Sequence, residues 1–310
     1  MTNKPSTYHI PVLLEESVKA LNIRPDGVYV DATFGGGGHS RAILERLGPE
    51  GRLLAFDRDE DAAANTIDDP RFSLIHADYG FLKNYLRAHG VRRIDGLLAD
   101  LGVSSHQFDT AERGFSHRFE GPLDMRMDRS QTLTAAKVVN EYDEEELARI
   151  FAQYGELRNA RSLASALVRY RRQHPVRSTR ELMAAVAGHI PAKWRNKLLS
   201  QLFQALRIEV NGELDSVKRL LEQAAEVIRP GGRLAVITYH SLEDRPVKYF
   251  IRSGNFQDKP VKDFYGNILT PFRKTGKIIV PTAEEIKTNP RARSAKLRVA
   301  ERTDLPYPPA

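Results

Sequence analysis

Over the first hundred residues, short apolar runs bounded by Gly, Pro and Asp alternate with longer mixed stretches. The runs at 28–33, 52–57, 72–78 and 94–101 are too short for core helices and predict strands. The segments between them, such as 40–47, are long enough for crossover helices. Strand–helix alternation of this kind implies a parallel sheet with right-handed crossovers and helices on both faces.

Beyond about Gly121 the period lengthens, and 144–154, 160–172, 179–187 and 197–210 read as helices with no convincing strand among them. A further helix at 213–228 leads to a Pro230-Gly231-Gly232 turn and then to strand character at 232–239. The chain is therefore α/β, with residues 1–115 and 212–310 forming one discontinuous domain and 116–211 an all-helical insertion. Residues 277–280 and 295–302 are strand candidates that would complete the sheet. Residues 114–128 follow no periodicity and are expected to act as a hinge or lid.

The 310 residues, 41% hydrophobic and 28% charged, suffice for a sizeable core. The absence of Cys excludes disulfides and Cys-based zinc or redox sites. No compact His spacing suggests a metal. Neither a signal-like segment nor an apolar span of about 18 residues is found, which points to the cytosol and away from membranes. The net charge of +7 is unevenly placed, since residues 158–207 are crowded with Lys and Arg around the single acid Glu181. Arg169, Arg171, Arg172, Arg177, Lys193, Arg195 and Lys197 are candidates to hold phosphates, against the simpler reading of a solvated helix face.

Candidate chemistry gathers at the ends of predicted strands. Gly35-Gly36-Gly37-Gly38 lies between the first strand and its helix, where glycines allow positive φ and close approach of a nucleotide-like ligand. Asp57, ending the second strand about twenty residues on, is placed to accept from ribose hydroxyls. Alone it would serve equally as a helix cap. Asp78-Tyr79 ends the third strand, where an adenine would stack. Asp100 ends the fourth, and Ser104, Ser105 and Gln107 follow in a segment that could either position ligands or simply cap the next turn. His240 follows the strand at 232–239, with Ser241 as expected cap and Asp244 at the third helical position.

These motifs together resemble the ribosomal RNA small subunit methyltransferase H family, the cytosine-N4 enzymes formerly called MraW. The resemblance is carried by His9 to Leu14, by TFGGGGHS at 33–40, FDRD at 56–59, DLGVSS at 100–105, ERGFS at 112–116, GPLDMRMD at 121–128, HSLEDR at 240–245 and NPRARSAKLR at 289–298. It implies a Rossmann-like S-adenosylmethionine-dependent methyltransferase domain interrupted by a helical one. It further implies N4-methylation of a cytidine in the decoding region of small-subunit ribosomal RNA, with monomer and homodimer both open. Cofactor contacts carry over to Gly37, Gly38, His39, Asp57, Tyr79, Asp100 and Gln107. Asp100, Ser104, Ser105 and His240, read from their places at the carboxyl edge of the sheet, are the candidates to hold the substrate base. Two residues depart from the family's pattern: His106 stands where Pro is frequent, and Glu120 where Asp is. A nicotinamide-dependent dehydrogenase would use the same loop and Asp57, but Ser40 stands where that fold's third glycine belongs. An RNA-binding protein with a vestigial cofactor site would keep the basic helices alone.

Overall fold

The computed structural model describes residues 11–307, so His9 and Ile10 lie outside the described residues. The chain divides into two compact units, one formed by Met1–Gly102 with Leu214–Ala310 and the other by Val103–Glu213.

The first unit is built on a seven-stranded sheet of β1 (Val28–Asp31), β2 (Arg52–Asp57), β3 (Phe72–His76), β4 (Ile94–Asp100), β5 (Ile228–Thr238), β6 (Phe272–Lys274) and β7 (Lys296–Arg302). Their spatial order is β3-β2-β1-β4-β5-β7-β6, parallel from β3 through β5, with β7 antiparallel to both its neighbours. Successive strands run outward from β1 in opposite directions, so the carboxyl ends of β1 and β4 flank the crevice where such sheets take ligands. Both faces are covered. Val30, Leu54, Phe56, Leu97 and Val236 pack with Leu220 and Leu221 on one side, while Tyr29, Leu53, Leu98 and Ile237 pack with Ile43 and Leu47 on the other. This double burial is why the strands read as apolar runs instead of alternating.

Two edges depart from expectation. β5 begins at Ile228, ahead of the Pro-Gly-Gly turn, because the register jumps from Ile94↔Ile228 to Gly96↔Arg233 and the intervening residues bulge out through Gly231 at φ 81°. At the far side, residues 277–280 contribute one bridge, Ile279↔Leu297, and the paired edge strand is β6 instead. Gly276, at φ 71°, turns the chain away after β6. Only Phe272 of β6 is buried, so a charged edge strand of this kind leaves no apolar pattern to find.

The second unit is helical. Ala135–Glu141, Glu144–Gln153, Ala160–Arg171, Thr179–Val186 and Arg195–Asn211 enclose Val138, Leu147, Phe151, Leu163, Leu182, Leu202 and Leu206. Reciprocal side-chain caps at Asp143 with Glu146 and at Ser178 with Glu181 start two of these helices. Residues 103–115, grouped with the first domain on sequence pattern, fall within this unit and contribute Phe115 to its core.

The stretch 114–128 packs into the helical unit. Phe115, Leu123, Met125 and Met127 are buried. The Asn211 side chain donates to the Met125 carbonyl at 2.8 Å and accepts from the Met127 amide at 2.8 Å. Buried Arg113 donates to the carbonyls of Arg126 and Met127, at 2.9 and 3.2 Å. Irregular backbone satisfied internally in this way has no spiral or pleat to register as a period.

Candidate cofactor and substrate site

The glycine loop is held from below by Asp31 at the end of β1. That buried carboxylate accepts from Ser40 Oγ at 2.7 Å and from the Thr33 amide at 3.1 Å, tying the strand to the helix Gly38–Leu44. Gly35 and Gly37 have φ of 51° and 76°, the left-handed region that favours glycine. A Cβ at Gly38 would lie 2.2 Å from the Pro11 ring, so this glycine answers to packing as well. A Cβ at Gly35 would meet no atom within 4 Å, which marks the open face of the loop.

Asp57 borders that face. Its Oδ2 accepts from the Gly35 amide and its Oδ1 from the Asp59 amide, both at 2.8 Å. Burial pushes its carboxyl up to about 6, a penalty that these two donors reduce without removing. A desolvated acceptor beside an open glycine face fits a ligand that brings hydroxyl donors, as the ribose of S-adenosylmethionine would. His39 turns the other way. Its ring is buried, Nε2 donates to the Val12 carbonyl at 3.2 Å, and burial holds its pKa below the ordinary imidazole value. Any cofactor contact here belongs to its backbone, while the ring anchors the segment before the first helix.

Tyr79 follows β3, half-buried, with the Arg58 guanidinium 5.5 Å from its ring centroid. Arg58 in turn pairs with Asp78 at 3.2 Å, and Asp78 caps the Gly80 amide at 2.7 Å and accepts from Ser216 Oγ at 2.7 Å. Asp78 is therefore structural, and Tyr79 is the residue of this pair left to present a ring.

At the carboxyl ends of β4 and β5, four groups converge. Asp100 Oδ1 accepts from the Tyr239 hydroxyl at 2.8 Å, and the Asp100 amide donates to Thr33 Oγ1 at 2.7 Å. Burial pushes Asp100 up to about 6, while His39 and the Tyr239 hydrogen bond act in the opposite direction. The Tyr239 phenol is driven far above its ordinary pKa by burial and by the neighbouring carboxylate, so it stays a hydrogen-bond donor. Behind them, buried Glu243 accepts from the Tyr239 amide at 3.0 Å and lies 2.9 Å from His240 Nε2. His240 itself caps the helix Ser241–Ser253 by position, its side chain reaching Glu243 and not the helix's first amides. Asp244 does not cap. Burial opposes its ionisation, but Arg298, bidentate at 2.7 and 2.9 Å, holds its carboxyl below the usual range and ties that helix to β7.

Tyr239 and Glu243 were not singled out from sequence. Glu243 sits within HSLEDR, and the signal that could have found Tyr239 is its place directly after an apolar strand aimed at the same crevice. Ser104, Ser105 and Gln107 belong to the second unit. There Ser104 Oγ accepts from the Gln107 amide at 3.2 Å and Gln107 Oε1 accepts from the Ser104 amide at 3.1 Å, a capping box. The carbonyl oxygen of the buried Gln107 is thus engaged in the cap. His106 is exposed in the first turn of this short helix, where Pro is equally at home because no intrahelical amide bond is lost. Glu120 pairs with Arg180. Among the described residues no cluster of three or more His, Cys, Asp or Glu could hold a metal ion, and no helix is long and apolar enough to cross a membrane.

Comparison with known proteins gives a match between residues 6–303 and the model of the MraW methylase family. Proteins named ribosomal RNA small subunit methyltransferase H are similar over nearly their whole length. The one from Flavobacterium johnsoniae is 57% identical over 295 residues, covering 95% of this chain and 98% of its own. That from Bacteroides fragilis is 54% identical over 303 residues, covering 97% and 100%. That from Amoebophilus asiaticus is 56% identical over 307 residues, covering 98% and 99%.

Proposed function

Because this chain belongs to the MraW methylase family, a family of S-adenosylmethionine-dependent methyltransferases, we propose that it methylates small-subunit ribosomal RNA, at the exocyclic N4 of a cytidine in the decoding region. The observation that carries this reading is the pair of carboxylates, Asp57 and Asp100, desolvated at the ends of the two strands that flank β1 and its open glycine loop.

S-adenosylmethionine, when bound, supplies a methyl group made electrophilic by its sulfonium. Asp57 holds the ribose hydroxyls, the backbone at Gly37 and Gly38 lets the ligand approach, and Tyr79 offers its ring to the adenine. Asp100 does the positioning for the reaction. Its carboxylate, steadied by the Tyr239 hydroxyl, accepts an N–H of the cytosine amine and turns the nitrogen lone pair toward the methyl group. His240, fixed by Glu243, borders the same space and bounds the base. The amine's surplus proton is acidic once the new N–C bond has formed, and it leaves to water. The exposed Arg169, Arg172, Arg177, Lys193, Arg195 and Lys197 of the helical unit hold phosphates of the RNA.

The test is to incubate the protein with labelled S-adenosylmethionine and small subunits from cells lacking this activity, then digest the RNA and identify the labelled nucleoside by mass spectrometry. N4-methylcytidine at a single position is expected. A label on another base or another atom overturns the finer reading while leaving RNA methylation in place, and no label overturns both.

A further inference from the structure

Away from the crevice, a cavity of about 580 Å³ opens between the helix Ser241–Ser253, β6 and the adjoining strand β7. Its walls are apolar at Ile251, Phe272, Ile278 and Val299, and every charged residue that lines it is basic. Three of those bases are already matched, Arg252 by Asp258, Arg273 by Glu301 and Arg298 by Asp244. Lys248, Lys274 and Lys277 have no ion pair among the described residues, and all three are exposed. A site with an apolar wall and unmatched ammonium groups suits a ligand that is flat and apolar on one side and anionic on the other, and its volume is in the range of small-ligand sites.

One wall continues into a hairpin, 261–269, which contributes Ile268 to the cavity. The hairpin closes through Lys262↔Ile268 pairing and a Leu269 amide bond to the Val261 carbonyl at 2.8 Å. Its tip is set by Asp263, whose carboxylate accepts from the amides of Tyr265 and Asn267 at 2.9 and 2.8 Å, and by Gly266 at φ 87°. This rigid turn displays Phe264 at 97% and Tyr265 at 85% exposure, with ring centroids 5.5 Å apart. Two aromatic rings held in water at the tip of the hairpin whose Ile268 lines the cavity have no role in the fold's own core. Rings and cations on one continuous surface are what single-stranded nucleic acid requires, bases stacking on the first and phosphates pairing with the second.

Resting on the reading that the substrate is RNA, we propose that this cavity and its hairpin form a second RNA-binding surface, outside the reaction crevice. It takes an unpaired stretch of the substrate, with phosphates on Lys248, Lys274 and Lys277 and bases on Phe264 and Tyr265. The surface sets affinity and placement of the RNA and takes no part in methyl transfer.

The test uses the full chain and a fluorescein-labelled single-stranded RNA of mixed sequence, followed by fluorescence anisotropy over a salt series. Two variants are compared with the wild type, Lys248→Glu/Lys274→Glu/Lys277→Glu and Phe264→Ala/Tyr265→Ala, each first shown by calorimetry to bind S-adenosylmethionine normally and hence to be folded. The lysine variant should lower the log–log salt slope by about 2, at about 0.7 per lost phosphate contact on a single strand. The aromatic variant should weaken binding by about thirtyfold or more, two stacked bases being lost, and leave the slope unchanged, since stacking carries no counterion release. If both variants bind as the wild type does, or if the wild type does not bind the RNA, the proposal is overturned. Displacement of the RNA by polyglutamate at equal charge concentration also overturns it, because the partner would then be an acidic protein segment. Methyl transfer by the wild type to small subunits is measured in parallel, so a normal transfer with unaffected variants sinks this surface alone.

Discussion

Asp57 and Asp100 are carboxylates that the fold makes harder to ionise, both pushed up to about 6 by burial. With folded pKa values above the unfolded ones, their ionisation opposes folding as pH climbs from about 4 to 6. A ligand that hydrogen-bonds the charged form gains affinity as pH rises through the same upper limit. S-adenosylmethionine affinity should therefore weaken by up to about tenfold per unit as pH is lowered below 6, through loss of the Asp57 acceptor. Calorimetry from pH 5 to 8 reads this directly, and a flat profile would remove Asp57 from the ribose. Tyr239 tests the other carboxylate. Its hydroxyl bond lowers the Asp100 pKa, so Tyr239→Phe should move the acid limb of the kcat profile to higher pH and lower kcat roughly tenfold, the order expected for one hydrogen bond to a charged group. Cofactor affinity should hold. An unshifted acid limb would show that Asp100 is not the group reporting in that profile.

Among the elements, the irregular segment 114–128 is held by packing that predicts a fixed segment in place of the hinge expected from sequence pattern. Asn211, at the last turn of the helix Arg195–Asn211, stitches it by two bonds, to the Met125 carbonyl and from the Met127 amide. Asn211→Ala leaves those buried backbone groups without their partner and should cost about 2–3 kcal/mol. Urea denaturation measures the loss. The same geometry predicts slow amide hydrogen exchange at Met125 and Met127 in the wild type, whereas a lid would exchange within seconds to minutes. Rapid exchange there would restore the hinge interpretation.

For the whole molecule, the basic residues of the helical unit are not equivalent. Arg171 donates to the Val139 carbonyl at 2.7 Å and is half-buried, so reversing it would disturb the end of the helix Ala135–Glu141 before it touched RNA. Arg172 and Arg177 are exposed. Arg172→Glu/Arg177→Glu should flatten the salt dependence of RNA binding by about 0.7–0.9 in log–log slope per lost contact. Cofactor affinity should be unchanged, because phosphate contacts of this kind carry position and not chemistry. Identical slopes for variant and wild type would assign these side chains to solvation alone.

Local pattern was sufficient for β1 to β4, for the glycine loop and for the helices from Glu144 to Val186, because a buried strand, a positive-φ turn and a capped amphipathic helix each leave their mark within a few neighbouring residues. The strand ends carrying Asp57 and Asp100 were legible for the same reason, since a residue's place at the end of a run is a property of the run. Other features depended on contacts between residues far apart in the chain. Nothing near Asp100 announces that Tyr239 will donate to it, nor does the sequence around Gln107 decide between a cofactor contact and the cap that it makes with Ser104. The bulge in β5 and the charged edge strand β6 exist only because β4 and β7 present backbone groups that need partners. Periodicity records the environment that a residue prefers; which group it meets there is settled when the sheet closes and water is excluded from between the strands.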